Sequence, residues 1–190
     1  MRRAPGVLGG AFDPPHFGHL ALARDGTSHF GLQRLLVRVV ERPGHKEVET
    51  PAPVRLELAH LAFGGLPGVE IELDRHPRTV DSLEALDLPD PVFLVGADEF
   101  ADFLSWKQPE RVLELARLGV GTRPGVAQER LDDVLAALSR PERVELFEIE
   151  PLNISASELR ARAAAGESLA GMVPDTVAAR IRALGLYRHA

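Results

Sequence analysis

The feature that most constrains the fold of this chain is a regular alternation between short apolar runs of β type and longer segments with helical spacing. The apolar runs cover residues 7–9, 35–40, 69–73, 92–95, 118–121 and 144–149. Between them, segments at 18–30, 54–63, 109–116 and 129–138 carry apolar residues at helical spacing. Continuous apolar runs are typical of buried parallel strands, and their alternation with helices is typical of βαβ units. The sequence therefore predicts an α/β fold with a doubly wound parallel sheet.

The C-terminal part of the chain has a different, helical character. Residues 41–53 and 75–78 are rich in proline or charge and predict loops. Ser155 and Glu158 stand in capping-box spacing before a helical run, and Gly166 then supplies a stop. A last helix is predicted from about 174 to 184, with proline at its first turn. Because no internal repeat is present, we expect one domain over residues 1–190, with a C-terminal helical part over about 153–190.

Composition excludes several classes of function. The chain has 22 Lys and Arg against 28 Asp and Glu, a net charge of −6, and no basic block that would bind polymeric nucleic acid or an anionic membrane. Since there is no cysteine, disulfides, thiolate metal sites and cysteine nucleophiles are excluded, which leaves His, Asp, Ser, Lys and Arg for chemistry. No apolar run approaches the roughly 18 residues of a spanning helix, and no signal peptide is evident, so we expect a cytoplasmic protein.

The densest chemical signal is the segment GGAFDPPHFGHL, directly after the first predicted strand. The adjacent Gly9 and Gly10 permit close approach of the backbone to a ligand, and a strand-loop-helix turn aims helix N–H groups at an anion. His16 and His19, three residues apart, lie on one face if the helix has begun there. Alternatives are histidines that only cap or pack, and a metal site, which lacks a nearby third ligand. Two histidines with Gly18 between them, behind a glycine pair, favour a phosphate site.

This segment resembles the G-x-F-D-P-x-H-x-G-H signature of the nucleotidyltransferase superfamily, whose HxGH element is also found in class I aminoacyl-tRNA synthetases. Members transfer a nucleotidyl group from a nucleoside triphosphate to a phosphate or related acceptor and release pyrophosphate with the assistance of Mg²⁺. The resemblance implies a Rossmann-like sheet and an ATP site at this loop. The ATP contacts that it implies here are Gly9, Gly10, Phe12, His16, Gly18 and His19.

A second motif lies near the other end of the chain. NISASELRAR resembles the I-S-S-T-x-I-R element of the same superfamily, with Ala156 and Ser157 in place of its Ser and Thr. Hydroxyls and N–H groups at a helix start, together with the guanidinium of Arg160, would form a second anion site. The alternative is an ordinary capped helix with a solvated arginine. With the first motif, we expect Ser155, Ser157 and Arg160 to hold the leaving pyrophosphate, and Arg160 to join the two histidines as a catalytic residue.

The middle of the chain resembles bacterial nicotinate mononucleotide adenylyltransferases. ERPGHKE is similar to their P-P-H-K loop with Gly44 in place of a proline, and VRLELAHLA to their R-x-x-M-x-x-x-A helix. LVGADEFADFLSWKQPERVLELARLGVGTRPG resembles their G-x-D…W…RPG block, and GMVPDTVAARIRALGLY resembles their C-terminal ending. The resemblance implies transfer of the adenylyl group of ATP to nicotinate mononucleotide, giving deamido-NAD and pyrophosphate in NAD biosynthesis, by in-line attack without a covalent intermediate.

The same resemblance implies roles for individual residues. Gly96 and Asp98 would contact the nucleotide, with Asp98 near the ribose; Trp106 would stack on the pyridine ring. Lys46 would help hold phosphate, and Thr79 would contact the acceptor. Each residue also has an ordinary interpretation, because a lone tryptophan is often a core residue, an Asp after a strand often caps a helix, and a loop lysine is often solvated.

One departure from the family pattern concerns the acceptor. Where the family typically has S-Y-T-x-D-T-L, with the region around the Thr helping to recognise the nicotinate carboxylate, this chain has P-R-T-V-D-S-L from Pro77 to Leu83. Two interpretations of Arg78 stay open. Its cation either faces a carboxylate, which would favour the acid over the amide, or points into solvent.

Several alternatives and partners complete these expectations. We expect Mg²⁺ to be held chiefly by the nucleotide phosphates and water, with no protein metal ligands and with Asp13 bracing the loop. The expected ligands are ATP and nicotinate mononucleotide, and formation of a homo-oligomer stays open.

Three alternative functions fit the sequence less well. A pantetheine-phosphate adenylyltransferase would share the histidine and Ser/Arg motifs but would not account for the segment around Trp106. A class I synthetase needs tRNA-binding domains and a basic face, and this acidic chain shows no sign of such a face. A nucleotide-binding regulator would have less need of His16, His19 and Arg160.

Overall fold

A computed structural model describes residues 4–44, 48, 50–123 and 128–188. Its centre is a six-stranded sheet in which every pairing is parallel and the strand order is β3-β2-β1-β4-β5-β6. The predicted doubly wound α/β fold is confirmed, and all six predicted strands are present. The strands are β1 Gly6–Gly10, β2 Leu35–Val40, β3 Val69–Asp74, β4 Val92–Gly96, β5 Arg117–Thr122 and β6 Val144–Glu148.

Helices cover both faces of the sheet. Along the described chain they are α1 Phe17–Phe30, α2 Ala52–Phe63, α3 Thr79–Leu86, α4 Ala97–Phe100, α5 Pro109–Leu115, α6 Gln128–Ala137, α7 Ala156–Ala164 and α8 Asp175–Leu184, with short 3₁₀ turns at Phe103–Ser105 and Pro141–Arg143. One apolar core packs α1, α2, α7 and α8 against the sheet. The other packs α3, α4, α5 and α6 against it. Because side chains alternate along a strand, Leu8 faces the first core and its neighbour Val7 the second.

Two sequence predictions about these elements need correction. The runs at 69–73 and 144–149 were expected to be buried, but β3 and β6 alternate between more and less exposed positions. Both are edge strands, so each has a neighbour on one side only. The sequence also gave no sign of α3, whose eight residues directly follow the predicted loop at 75–78. A helix of two turns carries too few apolar positions for its period to stand out.

The C-terminal helices begin and end as predicted. Ser155 is the N-cap of α7, and its Oγ accepts a hydrogen bond from the backbone N–H of Glu158 at 3.2 Å. Gly166 has a φ of 73°, the left-handed conformation that ends a helix readily, and α8 starts directly after Pro174. Throughout the described residues, every helix is too short or too polar to span a lipid bilayer.

The strand order places a crevice at the middle of the sheet. From β1 the chain continues to β2 and β3 on one side, whereas β4, β5 and β6 extend the sheet on the other. Open α/β sheets bind ligands at such a reversal of strand order, beyond the carboxyl ends of the strands. The loops that follow β1 and β4 flank this point, so the histidine motif and the Gly96–Asp98 segment meet there.

Candidate active site

The loop after β1 brings the two histidines of the first motif together. His16 is the N-cap of α1, and its backbone N–H donates to Nδ1 of His19 at 3.2 Å. The two rings stack with centroids 3.7 Å apart and planes 28° from parallel. Because Nδ1 of His19 is an acceptor, the ring proton of the neutral imidazole is on Nε2, where it is a donor. Buried Phe12 packs edge-on against His19, with centroids 5.1 Å apart, and fixes its position.

His16 lies in a buried position that opposes a positive charge on its ring. Only 7% of the residue is exposed, and burial, followed by the positive charge of Arg123, lowers the pKa of His16 to about 4. The ring is therefore neutral at pH 7. Its Nδ1 is buried and has no hydrogen-bond partner among the described residues. A buried polar atom without a partner is costly, so this atom marks a place where a ligand or water would bond.

Steric contacts explain two of the glycines in the motif. A Cβ at Gly18 would lie 3.0 Å from Nδ1 of His16, so a side chain there would press on the imidazole. A Cβ at Gly10 would lie 3.0 Å from the Phe12 ring. At Gly9 the nearest atom, on Phe93, would be an ordinary 3.5 Å away. Gly10 and Gly18 thus preserve the ring arrangement, whereas sterics leave Gly9 room for a small side chain.

The second motif reaches this loop from the far end of the sequence. Arg160, on α7, donates from NH1 to the backbone carbonyl of Asp13 at 2.8 Å. Ser155 and Ser157 are exposed at the start of the same helix, with their Oγ atoms 3.3 Å apart. The structure therefore brings the Ser/Arg helix start of the second motif to the loop that carries His16 and His19.

Two further residues hold this loop, and neither is among the site residues predicted from the sequence. Tyr187 donates its hydroxyl to Oδ1 of buried Asp13 at 2.7 Å, across 174 positions of sequence. Arg55, itself fully buried, donates to the backbone carbonyl of Ala11 at 2.7 Å. Both residues fall in segments that resemble the family pattern, which was the available signal. Their contacts depend on tertiary structure that spacing does not encode.

Beside this loop lies a cleft of about 650 Å³. Asp13, Arg42, Arg55, Arg160 and Tyr187 are among the residues that line it. The lining holds three arginines against two carboxylates, Glu41 and the buried Asp13, and Asp13 is already bonded to Tyr187. The excess of positive charge suits phosphate groups.

The loops after β4 and β5 lie on the other side of the histidines. Asp98 is in the first turn of α4, largely exposed, and its Oδ2 lies 3.2 Å from NH2 of Arg123. Arg123 also donates from NH1 to the backbone carbonyl of Leu152. Gly96 is the N-cap of α4, and a Cβ there would lie 2.7 Å from Oε2 of Glu99. Asp98 therefore stands at a strand end with its carboxylate toward solvent and one arginine.

The segments expected to hold the acceptor are neighbours in space. Trp106 is half-buried and meets Phe93 and Phe103 edge-on, at centroid distances of 6.2 and 5.2 Å. The next residue, Lys107, pairs with Asp81 in the first turn of α3 at 2.7 Å, and Thr79 is the first residue of that helix. Lys46, the remaining predicted acceptor contact, lies outside the described residues.

The described residues hold no group of three or more His, Asp or Glu side chains arranged to bind a metal ion. Asp13, the carboxylate in the loop after β1, accepts a hydrogen bond from Tyr187 and lies near Arg55 and Arg160. These donors suit an anion better than a resident cation.

Comparison with known proteins places this site in a family. The sequence profile of the cytidylyltransferase-like family matches residues 7–162, which include both motifs. The chain belongs to the cytidylyltransferase-like family. A relative from a Roseiflexus species is 39% identical over 201 residues and covers 99% of this chain and 100% of its own. Another, from Rubrobacter xylanophilus, is 34% identical over 195 residues, at 96% and 91% coverage. Both are named probable nicotinate-nucleotide adenylyltransferase, and the chain belongs with them in this branch of the cytidylyltransferase-like family.

Two solved structures have the same fold as this chain. The Plasmodium falciparum nicotinic acid mononucleotide adenylyltransferase complexed with APC aligns with a TM-score of 0.79 at 16% identity, over 98% of both chains. The same enzyme complexed with NaAD aligns with a TM-score of 0.78 at 17% identity. At this level of identity the likeness shows a shared fold.

Proposed function

We propose that this protein transfers the adenylyl group of ATP to nicotinate mononucleotide, giving deamido-NAD and pyrophosphate in NAD biosynthesis. The observation that carries the proposal is the pair of stacked imidazoles at the start of α1, where Nδ1 of buried His16 has no partner in the described chain. The names of the relatives support the choice of acceptor. So does the fold shared with an enzyme solved in complex with NaAD.

In the proposed reaction an oxygen of the acceptor's 5′-phosphate attacks the α-phosphorus of ATP in line. The bond between that phosphorus and the oxygen that bridges to the β-phosphate breaks, and pyrophosphate leaves with the electron pair. No covalent enzyme intermediate forms. Catalysis then consists of positioning and of stabilising charge on the phosphate oxygens. A neutral His16 and a His19 with its proton on Nε2 each offer one N–H donor to those oxygens.

The other predicted site residues take roles according to their place around this pair. Arg160 would hold the leaving pyrophosphate together with Ser155 and Ser157 at the start of α7, because all three offer donors close to the loop of Asp13. The remaining ATP contacts are Gly9, Gly10, Phe12, Gly18, Gly96 and Asp98, with Asp98 near the ribose. The acceptor contacts are Lys46, Thr79 and Trp106, within one domain formed by the whole chain.

Mg²⁺ enters this proposal as part of the substrate, bound to the triphosphate and water. The ion prefers oxygen ligands and keeps several waters, so the phosphates of the nucleotide and water can supply most of its ligands. The protein residues then hold the phosphate oxygens that the ion leaves available.

The experiment that tests the proposal measures pyrophosphate release by the purified protein with ATP and Mg²⁺. Nicotinate mononucleotide, nicotinamide mononucleotide and phosphopantetheine are supplied separately, and product masses are read in parallel. We expect deamido-NAD from the first acceptor and a kcat/KM lower by about 100-fold or more in His19→Ala, the loss typical of removing one donor to a developing negative charge. His29→Ala is the matched control, because His29 is exposed and pairs with Glu145. Turnover of phosphopantetheine alone, or of no acceptor, would contradict the proposal.

A further inference from the structure

Two departures of this chain from the family pattern lie in contact. Gly44 stands where the family's loop after β2 has a proline, and Arg78 stands where the segment before α3 has a tyrosine. A Cβ built on Gly44 would lie 2.6 Å from Nε of Arg78, 2.8 Å from Cζ and 3.1 Å from NH2. The guanidinium therefore occupies the space that any side chain at position 44 would take. The N–H of Gly44 also donates to the carbonyl of Pro77 at 3.1 Å, a bond that a proline cannot make.

The sheet places this contact at its carboxyl edge. β2 and β3 pair in parallel, with Val40 opposite Asp74 at their ends, so the segments that carry Gly44 and Arg78 leave the sheet side by side. Arg78 is partly buried and is the N-cap of α3. Its guanidinium lies against the neighbouring loop at Gly44.

A buried carboxylate fixes the turn that leads to Arg78. Asp74 accepts the backbone N–H of His76 at 3.0 Å on Oδ1, and the hydroxyl of Ser82 at 2.5 Å on Oδ2. These bonds attach the start of the turn and the first turn of α3 to the same side chain. Burial alone would raise the pKa of Asp74, but hydrogen bonds from Ser82 and His76, together with the charge of Arg38, lower it, so the carboxylate stays ionised. Arg78 is thus presented by a fixed turn.

The positive charge of Arg78 is not used by the protein in the part of the chain that the structure describes. Arginines on β2 do find acidic partners: Arg38 pairs with Glu72 at 2.6 Å, and nearby Arg34 pairs with Glu70 at 2.7 Å. Among residues 4–44, 48, 50–123 and 128–188, no carboxylate lies within 4.0 Å of the Arg78 nitrogens. A planar guanidinium held at a binding edge without an acid partner is suited to a carboxylate ligand, which it meets through two parallel N–H bonds.

We infer that Arg78 is a specificity-determining residue that binds the carboxylate of the pyridine ring of nicotinate mononucleotide. This inference rests on the proposed function. The acceptor's phosphate must reach the histidine pair beyond β1, whereas Arg78 follows β3, two strands away or about 10 Å. The ring end of the mononucleotide is the part that extends in this direction, toward Thr79 and the segment of Trp106. The amide analogue has no negative charge there, so Arg78 favours the acid.

The test compares kcat/KM for nicotinate and nicotinamide mononucleotide in the full-length protein. For Arg78→Ala we expect a loss of about 10- to 100-fold with the acid, the usual effect of removing a charged hydrogen bond, and a change of less than about threefold with the amide. Arg78→Lys keeps the charge without the planar fork, and we expect it to restore part of the preference. An equal loss with both acceptors would assign Arg78 to the shared 5′-phosphate and overturn the inference. Unchanged kcat/KM values with both acceptors would also overturn it.

Gly44→Ala provides an independent arm that leaves Arg78 in the sequence. The added methyl displaces the guanidinium, so we expect Gly44→Ala alone to lower the ratio of kcat/KM for the acid to that for the amide. In a protein that already carries Arg78→Ala, we expect Gly44→Ala to leave this ratio unchanged. Gly65→Ala is the matched control, because a Cβ there meets no atom within 4 Å. Failure of the unsubstituted protein to use either pyridine mononucleotide would overturn the proposed function and this inference together. An active Arg78→Ala with unchanged preference would overturn the inference alone.

Discussion

Replacing Arg55 by methionine tests how the loop of the first motif is held in place. The buried guanidinium donates to the backbone carbonyls of Thr50, Ala11, Val40 and Glu41, at 2.9, 2.7, 2.8 and 2.7 Å. These acceptors lie after β1, at the end of β2 and before α2, so one side chain joins three segments at the carboxyl edge of the sheet. Methionine keeps much of the apolar stem of Arg55 but none of its donors.

The size of the effect follows from these four bonds. At about 1 kcal/mol of net stabilisation for each hydrogen bond, Arg55→Met is expected to lower the free energy of unfolding by about 4 kcal/mol. Burial lowers the pKa of Arg55, and the charge of Asp13 opposes that shift, so the guanidinium stays protonated at pH 7.

Urea unfolding followed by circular dichroism measures this difference, with the dependence on urea concentration expected to stay unchanged. Arg111→Met is the matched control: Arg111 is exposed and pairs with Glu84 and Glu114, so its loss should leave the midpoint close to that of the unsubstituted protein. Because Arg55 also holds Ala11, the KM for ATP should rise in the variant. A loss of less than about 1 kcal/mol with unchanged kinetics would refute this explanation of the loop.

Two further predictions concern the same loop. The pKa of His16 is about 4 in the folded protein against 6.5 for the free side chain, so the unfolded chain binds more protons between these pH values and stability rises with pH through this window. Relative to His16→Gln, the unsubstituted protein should therefore gain about 3 kcal/mol of unfolding free energy from pH 4 to pH 6.5, measured by urea titrations at each pH; parallel curves would contradict the assigned burial of His16. Tyr187→Phe removes the hydroxyl that donates to buried Asp13, and we expect a loss of about 1–3 kcal/mol with a raised KM for ATP; unchanged stability and kinetics would show that this bond does not brace the loop.

Most of the fold was predictable from the alternation of strands and helices. Central strands such as β2 and β4 are apolar along most of their length because both faces of the sheet are covered by helices, so they stand out in the sequence. The edge strand β3 alternates in exposure and carries charged residues, and its predicted burial was wrong. Helix α3 is held by tertiary contacts, with Val80 and Leu83 in the second core and Ser82 bonded to Asp74, rather than by a long apolar period.

The candidate site was predictable where one short segment contains the chemistry. The spacing of His16 and His19 predicted a shared face if the helix begins by His16. The helix begins one residue later and His16 is its N-cap, but the two rings still stack. The contact of Arg160 with the loop of Asp13 spans 147 positions, and the resemblance to a superfamily, not spacing, linked the two motifs. The contact of Tyr187 with Asp13 arises only once α8 has packed against α2, so no local sequence pattern predicts it.

The central claim is transfer of the adenylyl group, and the fate of a phosphorus label tests it most directly. The protein is incubated with nicotinate mononucleotide, Mg²⁺ and ATP labelled with ³²P at either the α- or the γ-phosphate, and the dinucleotide is separated from pyrophosphate. We predict that the α label enters deamido-NAD in a 1:1 ratio with acceptor consumed, and that the γ label is released in pyrophosphate. Entry of the γ label into the acceptor, or release of label from both positions without a dinucleotide, would contradict the account.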